Sequence, residues 1–367
     1  MVIKKVLVVF GTRPEAIKMA PVVKELNLFF NVVVCVTAQH REMLDEVLNI
    51  FSIEPDYDLN IMSPGQDLTS MSSRILTKVS DVIEESQPDL VLVHGDTTTS
   101  MCAALAAFYN KKKIGHVEAG LRSHKKMDPF PEEVNRKFIG VLADYHFAPT
   151  STAKDNLINE GVSASSIYVT GNTVIDSLLE ITNRIGFHSD TLPNKVASKK
   201  ILLTAHRRES LDSGLDNIFT AISRLARKYS DFEFIYPVHP NPIVQAKAKN
   251  ILEGICNVSL IEPLDYFSFI KLMQESYIIL TDSGGIQEEA PSLGIPVLVL
   301  RNVTERTEAI EANCVRLVGL DVDNIVNETS RLIENEKEYN LMSTAVNPYG
   351  RGDAAEQIVE IIRGQVI

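Results

Sequence analysis

Strand-length runs of Val, Ile and Leu alternate along this chain with segments of helical periodicity. "KKVLVVFG", "NVVVCVTA", "DLVLVHG", "KIGHVEAG", "YHFAPT" and "IYVTG" are strand candidates before Asn172, and "KKILLTA", "FEFIYPVH", "VSLIEP", "YIILTDS", "IPVLVL" and "CVRLVG" follow Lys199. Several are almost unbroken apolar runs, as strands covered on both faces of a parallel sheet must be. "DLTSMSSRILTKVSDVIEES" and "GLDNIFTAISRLARKY" are among the helices that fill the gaps. This βαβα succession predicts an α/β protein with right-handed crossovers. A polar stretch, residues 186–200, separates the two series. We expect a first domain over residues 1–172, a second over 173–348, and a closing helix within 349–367 that packs back on the first.

Ligands of open α/β sheets bind outside the carboxyl ends of the strands, so the residues after each strand are the candidates. After the first strand comes "GTRPEAIK". Gly11 permits a tight turn, Thr12 can cap, and Pro14 suits a first helical turn. The N–H groups of this turn, with Arg13 and Lys18, would make an anion site; the plainer reading is an ordinary βα turn with an exposed arginine. After "YIILT" come Ser283, Gly284 and Gly285, which lead into a helix and suit close approach to a phosphate. Glu289 lies six residues beyond Ser283 and can accept hydrogen bonds from ribose hydroxyls; the plainer reading is a solvated glutamate pair. His206, Arg207 and Arg208 follow "KKILLTA" and suit a polyanion, while His239 follows "FEFIYPV" and reads as structural at least as readily.

Asp96 and Glu118 also sit at strand ends, after "DLVLVHG" and "KIGHV". Asp96 precedes "TTTS" and reads equally as a helix cap. In "PEEVNRKFIGVLADY" the spacing of Val134, Phe138, Val141, Leu142 and Tyr145 predicts one packed stripe. Glu132 then points away from it, near Arg136 and Ile139. Pro129, Phe130 and Pro131 stiffen the approach to Glu132.

The composition narrows the partners. A net charge of −12 argues against a broad nucleic-acid face, so an anionic ligand must be held by a few local cations and helix N-termini. Cys35, Cys102, Cys256 and Cys314 lie far apart with no CxxC or Cys/His cluster, which indicates neither a disulfide framework nor a metal site. No apolar run is long enough to span a bilayer, and "MVIKKVLVVFGTRP" reads as a first strand, so a cytoplasmic protein without membrane partners is expected. No GxGxxG follows a strand, so the usual nicotinamide fingerprint is missing.

"GTRPEAIKMAP", "HGDTTT", "HVEAGLR", "PFPEEVNR", "TAHRRES" and "DSGGIQEEAPSLGIPVLVLRNVTERTEA" together resemble, in order and over nearly the whole chain, the non-hydrolysing UDP-N-acetylglucosamine 2-epimerases. The resemblance implies two Rossmann-like domains facing a cleft in a GT-B-like arrangement, and a homodimer. It implies reversible conversion of UDP-GlcNAc to UDP-ManNAc without a cofactor, supplying ManNAc units for surface polysaccharide. Carried over by motif, Asp96, Glu118 and Glu132 look like the acid/base groups and His206 like a residue assisting UDP departure. Arg13 looks like a diphosphate ligand with Lys18 nearby. Ser283, Gly284 and Gly285 resemble the phosphate turn, Glu289 the ribose ligand, Arg306 a further substrate contact, and Phe269 the position whose backbone holds uracil. Bacterial relatives often bind a second UDP-GlcNAc, and Gln39, His40, Arg41, Arg207 and His239 match that pattern. Glu42 and Gly65 stand where Gln and Arg often occur, so weak or absent activation by substrate is expected.

Chemistry gives a separate reason for these residue types. The C2 proton of the sugar is not adjacent to a carbonyl, so loss of UDP must come first, building oxocarbenium character that acidifies C2–H. One carboxylate must then take the proton and an acid on the other face must return one. On this reading Glu118 and Glu132 are catalytic, and Asp128 and Glu133 are solvated. A two-domain glycosyltransferase, a nucleotide-sugar-binding regulator and a hydrolysing epimerase are the competing readings.

Overall fold

The computed structural model describes residues 3–38, 41–62, 67–186, 199–206, 213–304 and 306–364. Among them, β1 (Lys5–Phe10), β2 (Asn31–Val36), β3 (Tyr57–Asp58), β4 (Leu90–His94), β5 (Lys113–Val117), β6 (Tyr145–Ala148) and β7 (Ile167–Val169) form one parallel sheet, in the order β3-β2-β1-β4-β5-β6-β7. β8 (Lys200–Thr204), β9 (Glu233–Pro237), β10 (Val258–Ile261), β11 (Ile278–Thr281), β12 (Val297–Val299) and β13 (Val315–Leu317) form a second, in the order β10-β9-β8-β11-β12-β13. In each sheet the order reverses once, between β1 and β4 and between β8 and β11. Loops leave in opposite directions there and open a crevice at the carboxyl ends. Every strand candidate read from the sequence forms a strand. The edge strand β3 is too short to carry a readable pattern.

The chain divides into two units: one runs through Ser177 and resumes at Tyr349, the other covers Leu178–Pro348. The division falls inside helix Thr173–Arg184. In the first unit Leu7, Val9, Val91 and Val93 pack with Ala103, Ala104, Ala106 and Ala107 of helix Thr98–Tyr109. Ile75, Val79, Val82 and Ile83 of helix Leu68–Ser86 complete that layer. The alanines let the helix lie close on the strands, and each buried Val, Leu or Ile stabilises the fold by about 1.5–3 kcal/mol. In the second unit, helix Ser213–Lys228 buries Leu215, Ile218, Phe219, Ile222, Leu225 and Ala226, a helical stripe against Tyr236 and Leu203. Among the described residues no helix is long and apolar enough to cross a membrane.

Helix Glu132–Leu142 departs from the expected phase. Its buried residues are Glu133, Asn135, Arg136, Ile139 and Gly140, while Val134 and Phe138 are exposed and Val141 is 84% exposed. The inward face is largely polar because it serves the strand ends, as the next section describes. Apolar periodicity therefore pointed to the wrong side.

The last helix, Ala354–Gly364, returns to the first unit beside helix Arg13–Leu26 and buries Ile358, Val359 and Ile362. The Arg363 guanidinium lies 4.0 Å over the Phe29 ring. Asp176 caps this helix from a distant part of the chain: its Oδ1 accepts the Ala355 N–H at 2.9 Å, while Oδ2 is buried with no hydrogen-bond partner among the described residues. Burial pushes the Asp176 carboxyl up to about 6, with Asp353 adding repulsion and the Ala355 and Ala354 amides opposing. The folded value lies above the unfolded one, so Asp176 favours the fold most when protonated. That contribution falls as pH rises from about 4 to about 6 and is then constant. Asp176→Asn keeps the cap without the ionisation. Denaturant unfolding at a series of pH values should find the variant gaining on the wild type by up to about 3 kcal/mol between pH 4 and pH 7. A difference that does not change with pH would show that another group carries the dependence.

Candidate active site

The first turn of the first unit leaves no room for a side chain at Gly11. A Cβ there would stand 2.0 Å from Thr37 Oγ1 and 2.7 Å from Thr99 Oγ1. The turn is closed by Glu15, itself only 2% exposed. Its Oε2 accepts the N–H groups of Gly11 (3.0 Å) and Thr12 (2.8 Å) and the Thr12 hydroxyl (2.8 Å). Its Oε1 accepts the Thr97 hydroxyl at 2.6 Å and lies 2.8 Å from Ser100 Oγ. The expectation that these turn N–H groups await an external anion is therefore corrected: a carboxylate of the protein already holds them. Arg13 is the first residue of the following helix and is partly exposed.

Glu118 follows β5 with φ of 62°, a left-handed conformation that costs a residue with a Cβ on the order of 1 kcal/mol or more. Its Oε2 is held by the Lys18 ammonium and by Asn172 Nδ2 at 2.8 Å. Lys18, expected near a diphosphate, is thus engaged with the candidate base. Asn172 is itself anchored, its N–H donating to the Tyr349 carbonyl at 2.7 Å. His94 Nε2 lies 3.8 Å from Glu118 Oε2. Burial pushes the His94 imidazole down, with Glu118 opposing and Lys18 reinforcing.

Asp96 is not a helix cap. Thr97 caps helix Thr98–Tyr109, its hydroxyl accepting the Ser100 N–H at 3.1 Å. The Asp96 carboxylate lies 2.6 Å from Arg136 Nη2, and its carbonyl accepts Asn135 Nδ2 at 2.9 Å. Both partners stand on the inward face of helix Glu132–Leu142, so the helix that begins with Glu132 is pinned to the Asp96 turn. Glu133 is 1% exposed, which corrects its reading as solvated. Its carboxylate accepts the N–H groups of Ser123 (2.9 Å) and His124 (3.1 Å), and Arg136 Nη1 lies 3.3 Å away. Glu132 begins the helix after Pro131, and its Oε2 is buried without a hydrogen-bond partner among the described residues. Asp128 is exposed, as expected.

In the second unit the ends of β8, β9 and β11 bring His206, His239 and Asp282 together. Asp282, completely buried, accepts the His206 N–H at 2.6 Å, and its Oδ1 lies 3.4 Å from His206 Nδ1. The two imidazoles stack, with centroids 5.1 Å apart and planes 2° from parallel. His239 Nδ1 accepts the Asn241 N–H at 3.1 Å, which leaves the ring proton on Nε2. Burial lowers the His239 pKa, His206 lowers it further, and Asp282 opposes.

Ser283 heads the short helix Gly284–Glu289, its N–H donating to Thr281 Oγ1 at 2.9 Å. A Cβ on Gly284 would stand 3.0 Å from Arg306 Cζ, so glycine is what lets that guanidinium lie against the turn. A Cβ on Gly285 would meet nothing within 4 Å. Arg306 Nε and Nη2 lie 3.1 and 3.0 Å from Glu288 Oε1. Glu288 and Glu289 are both buried, not a solvated pair, and Glu289 Oε1 accepts the Tyr266 hydroxyl at 3.0 Å. The Phe269 N–H is committed to the Asp265 carbonyl at 2.9 Å, so a base contact at that residue falls to its carbonyl or ring.

Among the residues matching a second nucleotide site, Gln39, His40 and Arg207 lie outside the described residues. Arg41 is spanned by two carboxylates, with Nη2 2.6 Å from Asp58 and Nε 3.2 Å from Asp45. Glu15, His94, Asn172, Arg136 and Asp282 escaped the sequence reading. His94, Asp282 and Arg136 sat within motifs already quoted, beside residues that were singled out. Asn172 had no local signal at all.

The family model for UDP-N-acetylglucosamine 2-epimerase matches residues 24–363. The UDP-N-acetylglucosamine 2-epimerase of Escherichia coli K12 is 53% identical over 374 residues, 99% of this chain and 99% of its own. The crystal structure of UDP-GlcNAc 2-epimerase from Neisseria meningitidis bound to UDP-GlcNAc is 50% identical, covers 98% of this chain and 99% of its own, and matches with a TM-score of 0.90. The enzyme of Methanocaldococcus jannaschii in complex with UDP-GlcNAc and UDP is 33% identical, with corresponding coverages of 98% and 99% and a TM-score of 0.81.

The sheet behind Asp96 and Glu118 makes a prediction of its own. His116 Nε2 lies 2.7 Å from the Gly95 carbonyl, and His116 pairs in register with His146 on β6. Burial pushes the two imidazoles down, to about 3 and about 4 respectively. Both should be neutral at pH 7. Because the unfolded chain binds these protons more readily, they withdraw stability as pH falls below the ordinary histidine value. Nitrogen-detected NMR titration should find no His116 or His146 midpoint above pH 5. A midpoint near the ordinary value would mean that water reaches the strands beneath the site.

Proposed function

The chain belongs to the UDP-N-acetylglucosamine 2-epimerase family, and from that premise we propose that it interconverts UDP-GlcNAc and UDP-ManNAc by elimination and re-addition of UDP. The observation that carries this reading is the pair of carboxylates at adjacent strand ends, each held by a cation: Glu118 by Lys18 and Asp96 by Arg136. Glu132 brings a third carboxylate whose Oε2 has no partner among the described residues, so it can meet a substrate hydrogen directly.

Elimination must come first, because only a developing oxocarbenium ion makes C2–H acidic. We assign the departing UDP to the second unit, supported by His206 with Asp282 behind it and by the turn at Ser283, Gly284 and Gly285. His206 keeps an exposed ring edge, and the buried Asp282 carboxylate lies 3.4 Å from its Nδ1 and fixes the ring's orientation. Arg13 and Glu289 are assigned to diphosphate and ribose contacts, and Arg306 to a further substrate contact. Lys18 is moved from the diphosphate to Glu118. We infer that the product supplies ManNAc units for surface polysaccharide. Cys35, Cys102, Cys256 and Cys314 are free thiols, which supports a cytoplasmic location.

We also propose a homodimer. Val134, Phe138 and Val141 on helix Glu132–Leu142 and Phe108 and Tyr109 at the end of the neighbouring helix Thr98–Tyr109 are all exposed. Val134, Phe138 and Val141 lie on the outward side of the helix that carries Glu132, and a second copy of the chain is the occupant that the family resemblance implies.

Incubation with UDP-GlcNAc in D₂O, with neither nicotinamide nor acceptor, should transfer solvent deuterium to C2 as UDP-ManNAc appears. Asp96→Asn, Glu118→Gln and Glu132→Gln should each fold and lose about 10²–10⁴-fold in turnover. A C2 position that stays protonated while no UDP-ManNAc forms would refute the assignment. For the assembly, the wild type should sediment as a dimer and Val141→Asp, which leaves the inward face untouched, as a monomer. A wild-type monomer at micromolar concentration would rule the interface out.

A further inference from the structure

Glu15 is a buried anion to which the reaction above gives no part. Two helix N-termini converge on it: that of helix Arg13–Leu26, through the turn N–H groups of Gly11 and Thr12, and that of helix Thr98–Tyr109, through Thr97 and Ser100. The meeting point lies at the reversal of strand order between β1 and β4. In parallel sheets of this order, that is where a ligand phosphate sits on the helix N-terminus. Here a carboxylate of the protein lies at that position, holding the two turn N–H groups that lead into the first helix and the hydroxyls of Thr97 and Ser100. A second anion would have to displace or approach a buried negative charge, which low-dielectric surroundings make costly.

The same carboxylate ties the two halves of the site together. Thr97, whose hydroxyl it holds at 2.6 Å, is the neighbour of Asp96. The carbonyl of Asp96, in the peptide that joins it to Thr97, accepts Asn135 Nδ2 at 2.9 Å. Asp96 is thus fixed between Glu15 and helix Glu132–Leu142.

We propose that Glu15 is a positioning residue: a built-in anion that lies at the phosphate position of the first unit, sets the Asp96 turn, and closes the turn N–H groups to a free phosphate. This rests on the epimerase reading for its effect on turnover, but the occupancy of the anion position does not.

Chemical rescue tests it. Glu15→Ala removes the carboxylate and leaves the donors in place. It should lower kcat by about 10²-fold, the order expected when a catalytic group is displaced by about 1 Å, while KM for UDP-GlcNAc stays within a few-fold. Sodium formate should raise the melting temperature of Glu15→Ala and restore its turnover; chloride at equal ionic strength should do neither, and formate should not affect the wild type. Inorganic phosphate should bind Glu15→Ala by calorimetry and not bind the wild type at the same site. If formate changes neither melting nor turnover of Glu15→Ala, the proposal is wrong. Should Glu15→Ala fail to fold, Glu15→Gln decides: it keeps the shape, and a fall in kcat without a change in KM supports the proposal, whereas wild-type kcat overturns it. Wild-type protein that labels no C2 would sink the epimerase reading alone, since formate-dependent melting is read without substrate.

Discussion

A carboxylate taken out of water must be met by donors or cations, and the first unit is organised by how it meets this demand. Glu15 is met by backbone N–H groups and hydroxyls, Glu118 by an ammonium and a carboxamide, Glu133 by loop N–H groups and a guanidinium. Each solution recruits groups from separate parts of the chain. Satisfying Glu15 brings the turn after β1 to the helix after β4. Satisfying Glu118 brings helix Arg13–Leu26 and Asn172 to the end of β5. Satisfying Glu133 folds the loop at Ser123 and His124 over helix Glu132–Leu142. The polar groups are therefore a source of specificity, because few alternative packings would serve all of them at once.

This demand also explains the reversed helix. Had helix Glu132–Leu142 turned its apolar stripe inward, Arg136 could not reach Asp96, and Glu133 could not hold the loop. Its inward face is selected by charge and hydrogen bonding and its outward face by apolar chemistry, the opposite of an ordinary surface helix. The same helix thus links the carboxylates of the site to the surface proposed for a second copy of the chain.

The second unit reaches its site by a different route. Asp282 is buried, as Glu15 is, but it faces the His206 side chain, which remains partly exposed. Arg306 rests on Gly284 because that residue has no Cβ, and it is held there by Glu288. One unit thus presents carboxylates at its strand ends. The other presents histidines, a guanidinium and a glycine turn.

Much of this was legible in the sequence because it is local. A strand buried on both faces needs an unbroken apolar run, so the strands could be read directly, and the residues after them, Asp96, Glu118, His206 and Ser283, followed from counting along the chain. The turn glycines could be read for the same reason. What tertiary structure alone decided is how those residues are partnered. Glu15 drew no reading from the sequence, because Thr97 and Ser100, which the fold brings to it, lie more than eighty residues away. Asn172 carried no signal before Glu118 reached it, and the phase of helix Glu132–Leu142 was misread because periodicity reports apolarity, not which face a distant Asp96 requires. Backbone form follows from nearest neighbours along the chain, whereas the neutralisation of a buried charge depends on whichever groups the fold brings within hydrogen-bonding reach.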